Sequence, residues 1–167
     1  FKIALENIGN WTGRYIQTDN PQFEGKGKPF NTGDVLFNKL RPYLAKAYIA
    51  DKEGYCVGEL LVFKPIPEFI TKEYLFQVLM TPAFIEIVNS LTYGAKMPRA
   101  NWSFIGNIKI PIPSIKEQLE IIEQIKNETA TIDTAISKAE REIEYIREYK
   151  EAMISEAVMG KLNNAKV

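Results

Sequence analysis

Basic, amide and aromatic side chains gather at two places in this 167-residue chain. Asn38, Lys39, Arg41 and Tyr43 form one group; Tyr93, Lys96, Arg99, Asn101 and Trp102 form the other. Lysine and arginine neutralise phosphates, and Arg, Asn and Gln match the hydrogen-bonding edges of bases, so these residue types on loops suit contact with a nucleic acid. Structural roles compete at several of the positions. Trp102 and Tyr43 sit where a loop rejoins the fold and read as core or hinge residues, and Arg41, before Pro42, is equally placed to pair with a nearby acid. For Lys96 and Arg99, in a turn shaped by Gly94 and Pro98, ligand contact and a structural role stand level. Adding the cations of the turn-rich N-terminal stretch, the candidate nucleic-acid contacts are Arg14, Lys26, Lys28, Lys39, Arg41, Lys96, Arg99 and Asn101.

Catalysis has little to work with. The chain has no histidine, the commonest general base and metal ligand, and its single cysteine, Cys56, forms neither a disulfide nor a zinc cluster. The acids lie mostly on a helix surface, where solvated charge is their simplest role, so no catalytic residue, metal site or cofactor is expected. Asn20-Pro21-Gln22-Phe23 loosely resembles the Asn-Pro-Pro-aromatic motif with which adenine methyltransferases hold a target amine. Phe23-Glu24-Gly25-Lys26-Gly27 resembles their Phe-x-Gly-x-Gly cofactor loop. The two motifs share Phe23, no strand precedes the glycines and no helix follows them, so neither can do that job.

The elements that must carry the loops follow from local pattern. The first thirty residues, broken by Gly9, Gly13, Asp19-Asn20-Pro21, Gly25 and Gly27, read as short strands joined by exposed loops. Asn31 to Asp34 is a turn that launches a strand at Val35-Leu36-Phe37; Lys46–Ala50 is a second strand and Tyr55–Phe63 a third, with Cys56 as a core residue. Pro65 and Pro67 end the sheet region, and short helices are expected over Lys72–Met80 and over Pro82–Ser90, the second capped by Thr81. Ile108–Pro113 reads as a strand that delivers the chain to a long final helix.

That helix, from Ser114 to about Val158, organises the rest. Ile115, Gln118, Ile122, Ile125, Thr129, Ile132, Ile136, Ala139, Ile143, Ile146, Lys150, Met153 and Ala157 alternate at spacings of three and four, a coiled-coil seam interrupted at Gln118, Thr129 and Lys150. Ser114 and Glu117 form a capping box, and Gly160 with Lys161 suits the helix end. At 1.5 Å per residue the helix is roughly 65 Å long, so it should project and pair with another helix; the alternative, a long helix folded back on its own domain, fits the regular period less well. The pairing residues are expected to be Ile122, Ile125, Ile132, Ile136, Ala139, Ile143, Ile146 and Met153. The fold class is therefore α+β, with a small mixed domain at 1–113 and a helix at 114–162.

Charge and composition bound the setting. Residues 1–113 carry thirteen Lys and Arg against ten acids, and residues 114–162 carry seven against eleven, so polyanion contact must come from local patches. No apolar run reaches the ~18 residues needed to span a bilayer, and a lone cysteine fits a reducing cytoplasm. The chain opens at Phe1 without Met, so an N-terminal piece is expected to be missing.

Taken together, these residues resemble the specificity subunits of type I restriction-modification systems. The resemblance rests on Gly33-Asp34-Val35-Leu36-Phe37 running into Leu40-Arg41-Pro42-Tyr43-Leu44 and Lys46, on Ile110-Pro111-Ile112-Pro113 followed by Glu117-Gln118, and on the helix end near Gly160-Lys161-Leu162. It implies a non-catalytic target-recognition domain followed by a spacer helix that pairs antiparallel with a second one. Each recognition domain would read half of a split double-stranded DNA site, and the subunit would dock methyltransferase and restriction subunits. This chain holds one domain and one helix, so it is either half of a two-domain subunit or a half-length subunit that works as a homodimer. The rival reading is a coiled-coil adaptor that binds protein instead of DNA.

Overall fold

The structure, a computed structural model, describes residues 1–18, 23 and 25–160. Asn20, Pro21 and Gln22 of the first motif and Glu24 of the second, together with Lys161 and Leu162, lie outside the described residues. The fold is α+β. Two compact units divide the chain, Phe1–Ile122 and Glu123–Val167, so the first continues past the expected boundary at residue 113 into the start of the long helix.

Two three-stranded sheets build the first unit. β1 (Lys2–Ile3), β5 (Gly54–Cys56) and β2 (Lys28–Phe30) form one, in the order β1-β5-β2, with β1 parallel and β2 antiparallel to β5. β4 (Ala47–Ile49), β3 (Val35–Asn38) and β6 (Leu60–Phe63) form the other, antiparallel throughout with β3 central. Successive side chains of a strand point to opposite faces, and β3 buries both. Leu36 joins Ile3, Ile8, Phe30, Tyr48, Ala50, Cys56 and Leu60 in the core cluster. Phe37 meets Phe84 edge-on at 5.7 Å between ring centroids, on the side covered by helices.

Those helices are α1 (Lys72–Met80) and α2 (Pro82–Ser90), with the expected bounds. Thr81 caps α2 by accepting from Phe84 N–H at 3.3 Å, and Thr71 caps α1 from Tyr74 N–H at 3.2 Å. Tyr74, Leu75 and Leu79 of α1 and Phe84, Ile85 and Val88 of α2 are the buried faces.

Three expectations are corrected. Tyr55–Phe63 is two strands, β5 and β6, in different sheets: Val57 N–H completes the first ladder on Ile3 C=O, and a turn through Gly58 closes when Leu60 N–H bonds Val57 C=O. The stretch 93–102 is more ordered than a loop, since β7 (Thr92–Tyr93) and β8 (Arg99–Ala100) form a hairpin and α3 (Trp102–Ile105) follows. Ile108–Pro113 joins no sheet; Pro111 and Pro113 lack the N–H donors that a ladder needs.

α4 runs from Ile115 to Val158. Ser114 N–H and Oγ–H both donate to the Glu117 carboxylate, at 2.9 and 2.6 Å, and Glu117 N–H returns a bond to Ser114 Oγ at 3.4 Å, which is the expected capping box. Gly160, at φ 70°, takes the left-handed conformation that suits a helix end. Gln118, which breaks the apolar stripe, is fully buried and holds three backbone groups: its Oε1 accepts from Thr71 N–H at 2.9 Å, and its Nε2 donates to Phe69 C=O at 2.8 Å and Pro113 C=O at 2.9 Å. Ile122 is only 6 % exposed, inside its own unit, so the expectation that it pairs with another helix is corrected. The exposed seam starts beyond it: Ile132, Ile136, Ile143, Ile146 and Met153 are 39–66 % exposed, Ala139 is exposed, and Ile125 is half-buried.

Candidate nucleic-acid interface

The two groups of loop residues come together around Glu59. Asn38, fully buried at the end of β3, starts the first loop by donating from its amide nitrogen to Leu40 C=O at 2.9 Å and Arg41 C=O at 3.0 Å, while its oxygen accepts from Lys46 N–H at 2.9 Å. That amide closes the loop from both ends, so Asn38 is a structural residue rather than a reader. Within the loop, Arg41 (φ 51°) and Ala45 (φ 43°) flank the short turn Pro42–Leu44 in the left-handed region, at a strain of roughly 1–2 kcal/mol each.

Hydrogen bonds to the neighbouring hairpin hold that strain. Arg41 N–H donates to Pro98 C=O at 2.7 Å, Ala100 N–H to Lys39 C=O at 2.8 Å, and Lys39 N–H to Glu59 C=O at 3.0 Å. Arg99 completes the junction with a fork of two bonds to the Glu59 carboxylate, Nε at 3.0 Å and Nη2 at 2.8 Å, which raises the Arg99 pKa above its ordinary value. Trp11 N–H donates to Ala45 C=O at 3.0 Å, bringing the turn near Arg14 to the same cluster. The loop 39–45 and the hairpin 92–100 therefore form one braced body.

The candidate residues divide by what already occupies them. Arg99 spends its fork on Glu59. Lys28 Nζ donates to Gly58 C=O at 3.2 Å and Leu60 C=O at 3.1 Å, and Asn101 accepts from Ser103 N–H at 3.2 Å as the cap of α3. Arg41 is different: its Nε is buried and has no hydrogen-bond partner, and it pairs with no acid among the described residues. Lys96 is exposed on the hairpin and Lys39 is half-buried in the loop braced against it. Lys26 is exposed in the turn before β2, apart in sequence from both braced segments.

Tyr43 and Trp102, expected as core or hinge residues, are not core residues, being 45 and 54 % exposed. Trp102 meets Phe63 edge-on and lines a shallow cleft with Lys28, Pro29, Leu61, Val62 and Lys64. Tyr93 and Met97 are also exposed on the hairpin, at 58 and 49 %. Sequence reasoning missed Glu59, whose signal is an acid set between two apolar runs directly after Gly58. Among the described residues no group of His, Cys, Asp and Glu is placed to hold a metal ion, and no helix is long and apolar enough to cross a membrane.

Cationic and aromatic loops are thus braced on the α+β unit, and the long helix carries an exposed apolar seam. Comparison with known proteins gives the family. Residues 5–145 match the family described as type I restriction modification DNA specificity domain, and the chain belongs to that family. It is 25 % identical over 163 residues to the EcoDI specificity subunit of Escherichia coli, covering 96 % of this chain and 36 % of that protein. The fold is that of the HsdS subunit from Thermoanaerobacter tengcongensis, with a TM-score of 0.67 and 18 % identity over 99 % of this chain and 44 % of that one. A chain solved in work on complex assembly and conformational transition of the type I R-M system gives 0.68 and 19 % with the same coverage. This chain thus spans 36 % of the EcoDI subunit's length and 44 % of the two solved chains.

Proposed function

We propose that this chain is one recognition half of a type I specificity subunit, a non-catalytic part that reads one half of a bipartite duplex DNA site. The observation that carries the reading is the braced loop pair: a strained loop that bears Arg41, whose buried Nε has no hydrogen-bond partner, and exposed Tyr43, fixed to a hairpin that bears exposed Lys96. Strain held by surrounding bonds is a way to preset side chains for a ligand, and phosphates are the ligand that cations on exposed loops attract. Lys39, Arg41 and Lys96 take the phosphates or base edges, whereas Lys28, Arg99 and Asn101 shape the surface. α4 is the assembly element, pairing with a second helix and docking methyltransferase and restriction subunits.

The test is DNA binding by the assembled complex as a function of salt. Replacing Lys39, Arg41 and Lys96 with Ala should flatten the slope of log K against log salt by about 2–3, near 0.9 for each phosphate that is no longer neutralised. An unchanged slope, with the complex intact, would favour the protein-binding adaptor.

A further inference from the structure

The braced segments carry cations and no acid of their own: Lys39 and Arg41 on the loop 39–45, Lys96 and Arg99 on the hairpin 92–100. The acid that meets them comes from another strand. Glu59, directly before β6, takes Arg99 in a fork of two bonds, at 3.0 and 2.8 Å. Among the described residues no acid pairs with Lys39, Arg41 or Lys96. One cation of the surface is therefore neutralised and the others are left available.

The fork is not what holds the segments together. Backbone bonds do that, from Arg41 N–H to Pro98 C=O, from Ala100 N–H to Lys39 C=O and from Lys39 N–H to Glu59 C=O. The side chains of Arg99 and Glu59 are 38 and 29 % exposed, and an ion pair so open to water adds little to stability, because solvent screens both charges. What the fork changes is the charge that the hairpin presents. A carboxylate takes a guanidinium with the same two parallel bonds as a phosphate, so Glu59 fills on Arg99 the place that a DNA phosphate would take. With the carboxylate gone, the exposed guanidinium would be within reach of one.

Cations that neutralise phosphates strengthen binding to every sequence alike, whereas discrimination depends on the ratio of specific to non-specific binding. We infer that Glu59 is a specificity-determining residue of the recognition surface: its carboxylate withholds Arg99 from DNA phosphates and so keeps down the affinity for wrong sequences. The inference rests on the reading of the braced loops as a DNA surface, with Lys39, Arg41 and Lys96 as its contacts. Glu59 acts through Arg99, by making the wrong complexes weaker rather than the right one tighter.

The experiment is a salt titration of the assembled complex on a fluorescent duplex of randomised sequence, read by anisotropy, for the wild-type chain, for E59Q and for E59Q with R99Q. Glutamine keeps the backbone carbonyl that accepts from Lys39 N–H and a side-chain oxygen for one Arg99 bond, without the charge. E59Q should steepen the slope of log K against log salt by about 0.9, one further phosphate neutralised, and tighten binding about fivefold at physiological salt. Adding R99Q should return both to the wild-type values, since one neutral pair then replaces another. A purely structural fork gives the opposite result, weaker binding and a lower melting temperature in E59Q. A slope in E59Q no steeper than wild type would overturn the inference, and so would a gain that persists when R99Q is added. A double variant flatter than wild type by about 0.9 would overturn it too, because Arg99 would then already neutralise a phosphate. A melting temperature that collapses in either variant would assign the fork to stability and likewise overturn it. Absence of salt-dependent binding by the wild-type complex would instead overturn the DNA reading on which the inference stands.

Discussion

Isoleucine does opposite things in the two units. In Phe1–Ile122, Ile3 and Ile8 are wholly buried and the polar breaks in the apolar pattern are occupied: Asn7, Asn38 and Gln118 each hold backbone groups from fully buried positions. In Glu123–Val167, Ile132 and Ile146 are 58 and 66 % exposed on a helix whose apolar residues repeat every seven. The first unit completes its own core, whereas the apolar seam of the second is exposed. A polar residue on the stripe thus means different things: Gln118 is a clamp inside the first unit, whereas Thr129 turns its hydroxyl back to Ile125 C=O at 2.8 Å on the open helix.

The contrast can be broken most sharply at the seam. I136E with I143E should abolish pairing with the partner helix, because two unpaired carboxylates would be buried at several kcal/mol each. Both positions are exposed in this chain, so the melting of the first unit should stay unchanged, and calorimetry alongside sedimentation checks both halves of the statement. Gln118→Ala should do the reverse. It leaves Thr71 N–H, Phe69 C=O and Pro113 C=O without their partner, which should destabilise the first unit by about 3 kcal/mol, seen in urea titration, with the helix pairing retained.

Smaller effects sharpen the comparison through titration. Cys56 lies in the core of the first unit, and burial pushes its thiol up to about 11. Its folded-state value is raised, so the stabilisation from the neutral thiol is present below the unfolded pKa and is lost as pH rises through the folded one. The native protein should therefore resist alkylation at pH 8 and react after unfolding in urea, as mass spectrometry would read. At the start of α4, hydrogen bonds from Ser114 lower the Glu117 pKa. A lowered acid stabilises above the ordinary carboxylate pKa and loses that effect as pH falls through the folded value. Protection of the Ser114 amide, judged by its exchange rate relative to the intrinsic rate at each pH, should fall on acidification, and Glu117→Gln should remove that pH dependence.

What the sequence makes legible is what local rules write. The capping box, the Thr81 cap, the bounds of α1 and α2, the β3 strand and the heptad helix depend on residues within one turn or one repeat of each other, and the structure has all of them. The functional surface is harder because its partners are distant. Arg99 finds Glu59 at a separation of 40 residues, and Gln118 finds Phe69 at 49, so neither pairing is visible in a local window. The split of Tyr55–Phe63 into two sheets follows from the same limit, since an apolar run does not say which neighbour each half will meet. Arg41 is legible as a candidate from its type. Its left-handed backbone and its unpaired guanidinium belong to the fold.

The central claim is that the braced loops read a DNA sequence, and selection from randomised duplex DNA by the chain assembled with its partner half and a methyltransferase subunit tests it most directly. Sequencing of the bound pool should yield a split motif. Replacing Arg41 and Lys96 with Ala should erase the half that this chain reads. An unenriched pool from an intact complex, or a motif whose two halves both survive those substitutions, would contradict the account.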